Sequence, residues 1–364
     1  MVGGFRERRP AQDDGISLIE ALVATTLMLV VVGALFSLVA SDVQSSEIQP
    51  AFMDMQQRSR VGAGALIRDL GTAGSGPGAG PFAGSLARFV APVIPRRLGA
   101  DGDAPAVVRP DAVTGFAVEP GGIHTTLRAP LSSGALLVPD DAPTCPAGQP
   151  ACGFPVDATL LVFDEAGDFD LFVVTAVDPA GLSVRPLQNS FVKEYPAGAF
   201  VGEARPLAYF FDAALGQLRY GDVDMTDVPV ADDVAGLAFS YYGDPRPPVR
   251  PRPPLGTANC LYDAIGNPLG GMTLLGSGGN ELVDLPLSIF TDGPWCGTGD
   301  NRYDADLLRI RQIGVVLTVQ AAGEGFRGPG PAFARPGVGR SAVRLLPDYG
   351  VAFAVSPRNL GAGR

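Results

Sequence analysis

Four cysteines carry the most reactive side chains of this 364-residue chain. Cys145 and Cys152 enclose the short segment CPAGQPAC, whereas Cys260 and Cys296 enclose a much longer one. Both segments are rich in proline and glycine and have little core of their own. In an extracytoplasmic domain we therefore expect the disulfides Cys145–Cys152 and Cys260–Cys296, with reduced thiols as the alternative. A zinc site of four cysteines is disfavoured because it needs two close pairs.

Oxygen ligands are concentrated in the segment DGPWCGTGDNRYDAD at positions 292–306. Asp300, Asn301, Asp304 and Asp306 are candidate calcium ligands, since calcium prefers carboxylate and amide oxygens. Their order differs from the D-x-D-x-D-G pattern of an EF-hand loop. The sequence therefore favours an ordinary solvated acidic loop, and we predict no resident metal.

The composition excludes several kinds of catalyst and partner. The chain has one histidine, so a polyhistidine zinc site is excluded and a histidine-dependent triad would have to use His124. The sequence around it, GGIHTTL, is more typical of a strand. GEGFRG at 323–328 is followed by Pro-Gly-Pro, which leaves no helix N-terminus for a phosphate. We expect no enzymatic activity and no cofactor. The net charge of −11 also predicts no nucleic-acid partner.

Short apolar runs between glycine, proline and aspartate turns predict a predominantly antiparallel β domain over 82–364. Segments 163–169 and 211–220 are expected to be hairpin turns, and the proline- and arginine-rich segment 245–254 a stiff surface loop rather than a docking peptide. The predicted strands lie at 158–163, 171–177, 207–211, 234–242, 307–320 and 342–355.

These elements follow an N-terminal apolar segment, residues 16–40, whose one ionisable side chain is Glu20. As a helix this segment is about 37 Å long, enough to cross a hydrocarbon core of about 30 Å. A cleaved secretory signal would have a shorter apolar run with small residues after it, whereas here Gly15 precedes the run. A carboxylate at the centre of a membrane helix costs about 2.5–3.5 kcal/mol, and less near an end. Glu20 is therefore either a tolerated acid at the margin of a plain anchor or a residue with a function.

The helix is expected to continue over 41–70 with one face on the β domain. Pro50 should kink or briefly break it. The glycine-rich segment 71–81 is predicted to end the helix and to form a flexible linker. The apolar stripe that predicts the continuation consists of Ile48, Phe52, Met55, Ser59, Gly62, Leu66 and Leu70.

Gly15, Ile16 and Glu20 form the pattern G-I-S-L-I-E, with the glutamate fifth after the glycine and the apolar run directly behind it. This pattern resembles the class III prepilin leader of type IV pilins and type II secretion pseudopilins. The resemblance implies that a prepilin peptidase removes residues 1–15 by cleaving between Gly15 and Ile16, and that Ile16 is then N-methylated. It also implies that the Glu20 carboxylate pairs with the terminal ammonium of Ile16 on a neighbouring subunit. Such a pair explains the acid, since either charge alone is unfavourable in apolar surroundings.

The second half of the chain is similar to a particular branch of the same superfamily. Segments 209–220, 232–243, 307–319 and 356–360 follow one another in an order that resembles PilW-type minor pilins and the related J-type minor pseudopilins. These segments are strand patterns, so they indicate fold and branch without marking a site. The length of the head favours the PilW type.

The resemblance implies a non-catalytic minor pilin that helps to initiate or to cap a type IV pilus. The alternatives are a J-type minor pseudopilin of type II secretion and a pilus-tip adhesin or uptake subunit. The implied partners are a prepilin peptidase/methyltransferase and other major and minor pilins or pseudopilins. The chain would span the inner membrane once through 16–40, with the head in the periplasm and later at the filament tip or cell surface.

Overall fold

One long helix, α1 (Leu18–Leu70), precedes every strand of the molecule, and the strands pair antiparallel, which confirms the predicted α+β class. The structure, a computed structural model, describes residues 17–99, 102–187, 191, 193–221, 227–276, 279–340 and 342–361, without the side chains of 39–47 and 343.

Fifteen strands follow α1 in the described part of the chain. In chain order they are β1 (Val93–Ile94), β2 (Ala112–Val118), β3 (His124–Thr126), β4 (Thr159–Phe163), β5 (Phe169–Asp178), β6 (Gly181–Pro186), β7 (Phe200–Asp212), β8 (Gln217–Gly221), β9 (Asp227–Ala231), β10 (Val234–Gly243), β11 (Val283–Leu285), β12 (Trp295–Cys296), β13 (Tyr303–Asp304), β14 (Ile310–Val319) and β15 (Tyr349–Val355). Short 3-10 helices lie at Leu86–Arg88, Pro150–Gly153, Leu287–Phe290, Gly299–Asn301, Ala305–Arg309, Glu324–Phe326, Ala342–Arg344 and Arg358–Leu360.

The helix α1 has 53 residues and continues without interruption through Pro50. Of the predicted kink or brief break at this proline, the break is therefore wrong. A proline inside a helix removes one backbone donor, and here the turns that follow are stabilised by packing on the head. Of the predicted stripe, five residues are buried, Ile48 is half-buried and Phe52 is more exposed, with its ring edge-on to Tyr349 of β15 at 6.0 Å. The five buried residues are Met55, Ser59, Gly62, Leu66 and Leu70.

The glycine-rich segment after α1 is hydrogen-bonded to the head, where its composition predicted a flexible linker. The backbone N–H of Gly74 donates to the carbonyl of Phe116 at 3.0 Å, and that of Val118 donates to the carbonyl of Ser75 at 2.8 Å. These bonds run along β2. They hold the segment in place beside β2. The glycine content alone could not indicate this order.

Two main sheets form the head. The first has nine strands in the order β1-β2-β7-β4-β5-β6, with β3 also paired to β7 and the β8–β9 hairpin extending from β7. The second has four strands in the order β11-β10-β14-β15, and β12 and β13 form a separate two-stranded ribbon. The predicted hairpin turns join β4 to β5 and β7 to β8.

Two predicted strands begin later than expected. Segment 307–320 starts inside the 3-10 helix Ala305–Arg309, because the side chain of Asp304 accepts a hydrogen bond from the N–H of Asp306 and caps that turn. Strand β14 begins only at Ile310. Segment 342–355 likewise begins with the turn Ala342–Arg344, and its strand is the shorter β15.

The main core lies between the second half of α1 and both sheets. Leu66 and Leu70 are fully buried there. Gly62 lets the helix approach closely, since a Cβ at this position would lie 2.8 Å from Leu317 of β14 and 3.2 Å from Leu218 of β8. The helix thus packs against both sheets, and its closest approach is at Gly62.

Candidate functional site

The N-terminal turn of α1 holds the described residue of the predicted cleavage and assembly motif, Glu20. The N–H of Ser17 donates to Glu20 Oε2 at 3.1 Å, and the Ser17 hydroxyl accepts from the N–H of Ile19 at 3.2 Å. This reciprocal arrangement is a capping box, and it holds a negative charge at the helix end where the macrodipole favours it. Gly15 and Ile16 lie outside the described residues.

The first half of α1 is apolar and exposed. Leu18–Leu38 has a mean hydropathy of 2.4, and none of it is buried within the described part of the molecule. Its 21 residues span about 32 Å as a helix, so it is long enough to cross a membrane. The hydroxyls of Thr25 and Ser37 donate to helix carbonyls at 3.0 and 2.9 Å, which satisfies these polar groups within the helix. The segment is consistent with a single-pass membrane anchor.

Two polar contacts attach the second half of α1 to the head. Arg58 forms an ion pair with Asp233, in the turn between β9 and β10, at 2.7 Å. The hydroxyl of Tyr209 on β7 donates to Asp69 Oδ2 at 2.5 Å, and both residues are buried. Burial and this hydrogen bond raise the pKa of Tyr209, so the hydroxyl keeps its proton and remains a donor. The helix is thereby fixed to the head at both ends of its buried face.

Both predicted disulfides, Cys145–Cys152 and Cys260–Cys296, are present. The first closes a tight turn at the 3-10 helix Pro150–Gly153, beside the smaller apolar cluster of the head. The second ties a strandless segment after β10 to the short strand β12. Each bond cross-links a part of the head that is poor in regular structure.

The predicted calcium ligands are only partly brought together. Asp304 and Asp306 lie close to Asp292, with one carboxylate oxygen from each within 4.8 Å of the others. Asp300 and Asn301 do not belong to this group. The Asn301 amide instead donates to Asp170 Oδ1 at 2.7 Å.

The carboxylates of this group are used inside the fold. Asp304 accepts from the N–H of Gly293 at 2.6 Å and from that of Asp306 at 2.9 Å, so it connects the segment before β12 to the 3-10 helix after β13. Asp306 forms an ion pair with the buried Arg309 at 2.5 Å. Burial raises the pKa of Asp306 to about 6 despite this partner, and it also raises the pKa of Asp304.

A second charged cluster was not predicted from the sequence. Lys193, the chain's single lysine, forms an ion pair with Asp164 at 2.6 Å and a second with Asp168. Burial alone would lower the pKa of Lys193, but the hydrogen bonds to the two carboxylates outweigh it and the pKa is raised. The signal available in the sequence was the pair of aspartates in the β4–β5 turn, whose charge requires a counterion when the turn is buried.

His124 lies on β3, as its sequence context predicted, and is 6% exposed. Its Nδ1 is 2.9 Å from the carbonyl oxygen of Gly122, and its Nε2 is 3.2 Å from that of Ala79. The ring therefore links β3 to the glycine-rich segment after α1. These contacts give His124 a structural position rather than that of a triad base.

Comparison with protein-family models, curated proteins and solved structures finds no significant match to this chain. Helix α1 is the element that most clearly needs a partner outside its own fold. Its first half leaves apolar surface uncovered and places one carboxylate at the end of that surface.

Proposed function

We propose that the chain is a minor pilin, a non-catalytic subunit that helps to initiate or cap a type IV pilus. The observation that carries the proposal is the combination of G-I-S-L-I-E with the two halves of α1. An exposed apolar half of 21 residues supports packing in a membrane and then in a filament core. A second half buried on a β head supports the carriage of a folded domain outside that core.

Glu20 is the assembly residue in this proposal. In a chain that begins at Ile16, the terminal ammonium belongs to the residue four positions before Glu20 in the sequence. A carboxylate in an apolar helix bundle is strongly unfavourable alone and much less so beside an ammonium of the neighbouring subunit. The charge pair would set the axial register of the entering subunit, while the apolar side chains supply most of the association energy.

The proposed location of the chain changes as it is anchored in the membrane, processed and incorporated into a filament. The chain would be anchored in the inner membrane by Leu18–Leu38, with the head in the periplasm, and would later lie at or near the filament tip. A prepilin peptidase/methyltransferase would process Gly15 and Ile16. Other major and minor pilins would be the partners of both the helix and the head.

Mass spectrometry of the mature N-terminus tests the processing step. We expect protein purified from its host membranes to begin with N-methylated Ile16. An intact 1–15 leader, or cleavage after the apolar segment, would contradict the proposal and favour a membrane-anchored protein of another kind.

Substitution of Glu20 tests the assembly step. We expect Glu20→Gln to reduce incorporation into filaments about tenfold or more, because it removes the charge and keeps the shape. Glu20→Asp should retain part of the incorporation, and the matched control Glu281→Gln, an exposed acid of the head, should retain all of it. Equal incorporation of Glu20→Gln and the wild type would refute the charge pair.

The filament that contains the protein distinguishes the two branches. Incorporation into an extended surface pilus supports the PilW-type proposal. Loss of protein secretion, with no effect on pili, when the chain is deleted would instead support the J-type pseudopilin. Binding of a glycan or surface by the head at the pilus tip would support the adhesin.

A further inference from the structure

The proline- and arginine-rich segment 245–254, here called the basic strap, is fixed to the head. The Arg309 guanidinium donates to the carbonyl of Pro245 at 2.9 Å, and the Asn259 amide donates to that of Pro251 at 3.0 Å. The Tyr262 hydroxyl donates to the carbonyl of Val249 at 3.0 Å. Because three of its carbonyls accept hydrogen bonds from side chains of the head, the strap is held in one position on the surface.

The strap forms one side of a cleft of about 520 Å³, here called the basic cleft. Arg88, Arg250 and Arg252 line it, together with one acid, Glu165. Among the described residues, none of these three guanidinium groups has an ion-pair partner. Leu255, 80% exposed, adds apolar surface at the rim. The Arg252 guanidinium lies over the Tyr262 ring, 5.4 Å from its centroid, and keeps its charge exposed. Cations without ion-pair partners beside exposed apolar groups are characteristic of a surface that is completed by another molecule.

A second cleft, of about 370 Å³, has the opposite charge. Glu119, Asp157 and Glu203 line this acidic cleft together with one base, Arg205, and all four residues are exposed. Within the described part of the chain, none of the three carboxylates has an ion-pair partner. Each cleft therefore has three unpaired charges of one sign and one of the other.

The two clefts lie at opposite ends of β4. Asp157 comes just before the strand Thr159–Phe163, and Glu165 comes just after it. Five residues of extended chain span about 17 Å. Four of the five residues of the strand are buried, so packed core separates the two clefts and they cannot neutralise each other within one molecule.

We propose that the head binds a second copy of this chain head to tail, with the basic cleft of one copy against the acidic cleft of the next. Charge complementarity supports this occupant, because the two clefts carry opposite charges that have no ion-pair partner among the described residues. The net charge of −11 opposes anionic lipid and nucleic acid as occupants. The contact is heterologous, since it uses two different surfaces, and it can therefore repeat along a row of subunits.

The proposed contact does not depend on leader cleavage or on the Glu20 pair. Its electrostatic part is steering and orientation, which weakens as salt is added. Its apolar part is the rim of the basic cleft around Leu255. A filament would use it between adjacent heads, but the association can be measured on the isolated full-length chain.

Complementation between charge-reversed variants tests the proposal. The full-length chain in detergent micelles is examined by sedimentation velocity at about 20 mM and about 500 mM salt. The basic-cleft variant is Arg250→Glu/Arg252→Glu, and the acidic-cleft variant is Asp157→Arg/Glu203→Arg. Matched controls are Arg340→Glu and Glu281→Arg, which change exposed charges outside both clefts.

We expect the wild type and both controls to associate at low salt, and either cleft variant alone to bind itself about tenfold or more weakly. An equimolar mixture of the two cleft variants should associate again, because each supplies the intact cleft that the other lacks. A wild type that stays monomeric, a cleft variant that associates like the wild type, or a mixture that stays dissociated would each overturn the proposal. A correctly processed Ile16 with no head association would leave the proposed function standing and remove only this contact.

Discussion

The two halves of α1 belong to one continuous helix but have opposite relations to the rest of the molecule. Leu18–Leu38 is apolar all round and is not buried against any of the residues that the structure describes. The second half is amphipathic, and its buried face ends at Leu66 and Leu70 in the main core. A helix that exposes apolar side chains on every side needs a partner outside its own fold, whereas an amphipathic one finds its partner within it. The first half of α1 is therefore available for contacts with a membrane or another subunit, whereas the second half stabilises the fold of the head.

The largest expected effect on stability comes from truncating a core side chain in the second half of α1. Leu66→Ala should lower the free energy of unfolding of the head by about 2–5 kcal/mol, because it leaves a cavity in a packed core. Leu29→Ala, the matched control in the exposed half, should leave it unchanged. Urea unfolding in detergent micelles, followed through the fluorescence of the single tryptophan Trp295, measures both. Equal effects of the two variants would mean that the halves are not independent.

The next effect concerns the parts of the head that are poor in core. Cys260→Ser/Cys296→Ser should destabilise the head by about 4 kcal/mol, since this bond closes a loop with a sequence separation of 36. Cys145→Ser/Cys152→Ser should cost only about 2 kcal/mol, because its separation is 7. The same urea titration ranks them, and membrane association through Leu18–Leu38 should be unaffected by either. The reverse ranking would contradict loop closure as the cause.

A pH-dependent effect is expected at Asp306. Burial raises its pKa from 3.8 to about 6, so the folded chain holds this proton more tightly than the unfolded chain does. Ionisation of Asp306 therefore reduces stability as the pH rises from about 4 to about 6, and adds nothing further above that window. The free energy of unfolding of Asp306→Asn, taken relative to that of the wild type, should therefore rise by up to about 3 kcal/mol across this range.

Unfolding midpoints measured between about pH 4 and pH 7 check this prediction, with the exposed Asp284→Asn as the control. A constant difference between Asp306→Asn and the wild type over the whole range would show that burial does not shift this carboxyl.

The smallest effects compare two glycines two positions apart on the second half of α1. Gly62→Val should destabilise the head by about 1–3 kcal/mol, because its side chain would enter the space held by Leu317 and Leu218. Gly64→Ala should stabilise it by about 0.5–1 kcal/mol, since no atom lies within 4 Å of the new Cβ and alanine is the better helix former. Thermal unfolding of the two variants checks the opposite signs, and a shared sign would place the helix contact elsewhere.

Several features could be predicted because they depend on residues close in sequence. The apolar run, the stripe that ends at Leu70 and the β4–β5 turn are local patterns with a characteristic period or turn composition. The two disulfides were also predicted correctly, because each closes a segment that is rich in proline and glycine and has little core of its own. The interruption at Pro50 was not, since the packing of later turns decides whether a proline ends a helix.

Other features depend on pairs that only the folded chain brings together. Asp292 joins Asp304 and Asp306, while the Asn301 amide donates to Asp170, so two of the four candidate ligands lie in one group of carboxylates. Nothing in the sequence near Lys193 indicates that it lies between two carboxylates of the β4–β5 turn. The order in the glycine-rich segment after α1 likewise depends on hydrogen bonds to β2.

The sequence by itself determined that a long apolar helix with one acid near its start precedes a β-rich head, because hydrophobic period and turn chemistry are local properties. The tertiary structure added how closely α1 packs on the two sheets, which charges are paired inside the fold, and that the charges without ion-pair partners in the two clefts lie at the two ends of β4. Those outcomes depend on strand order and on close approach at Gly62, and so on contacts between residues far apart in the chain.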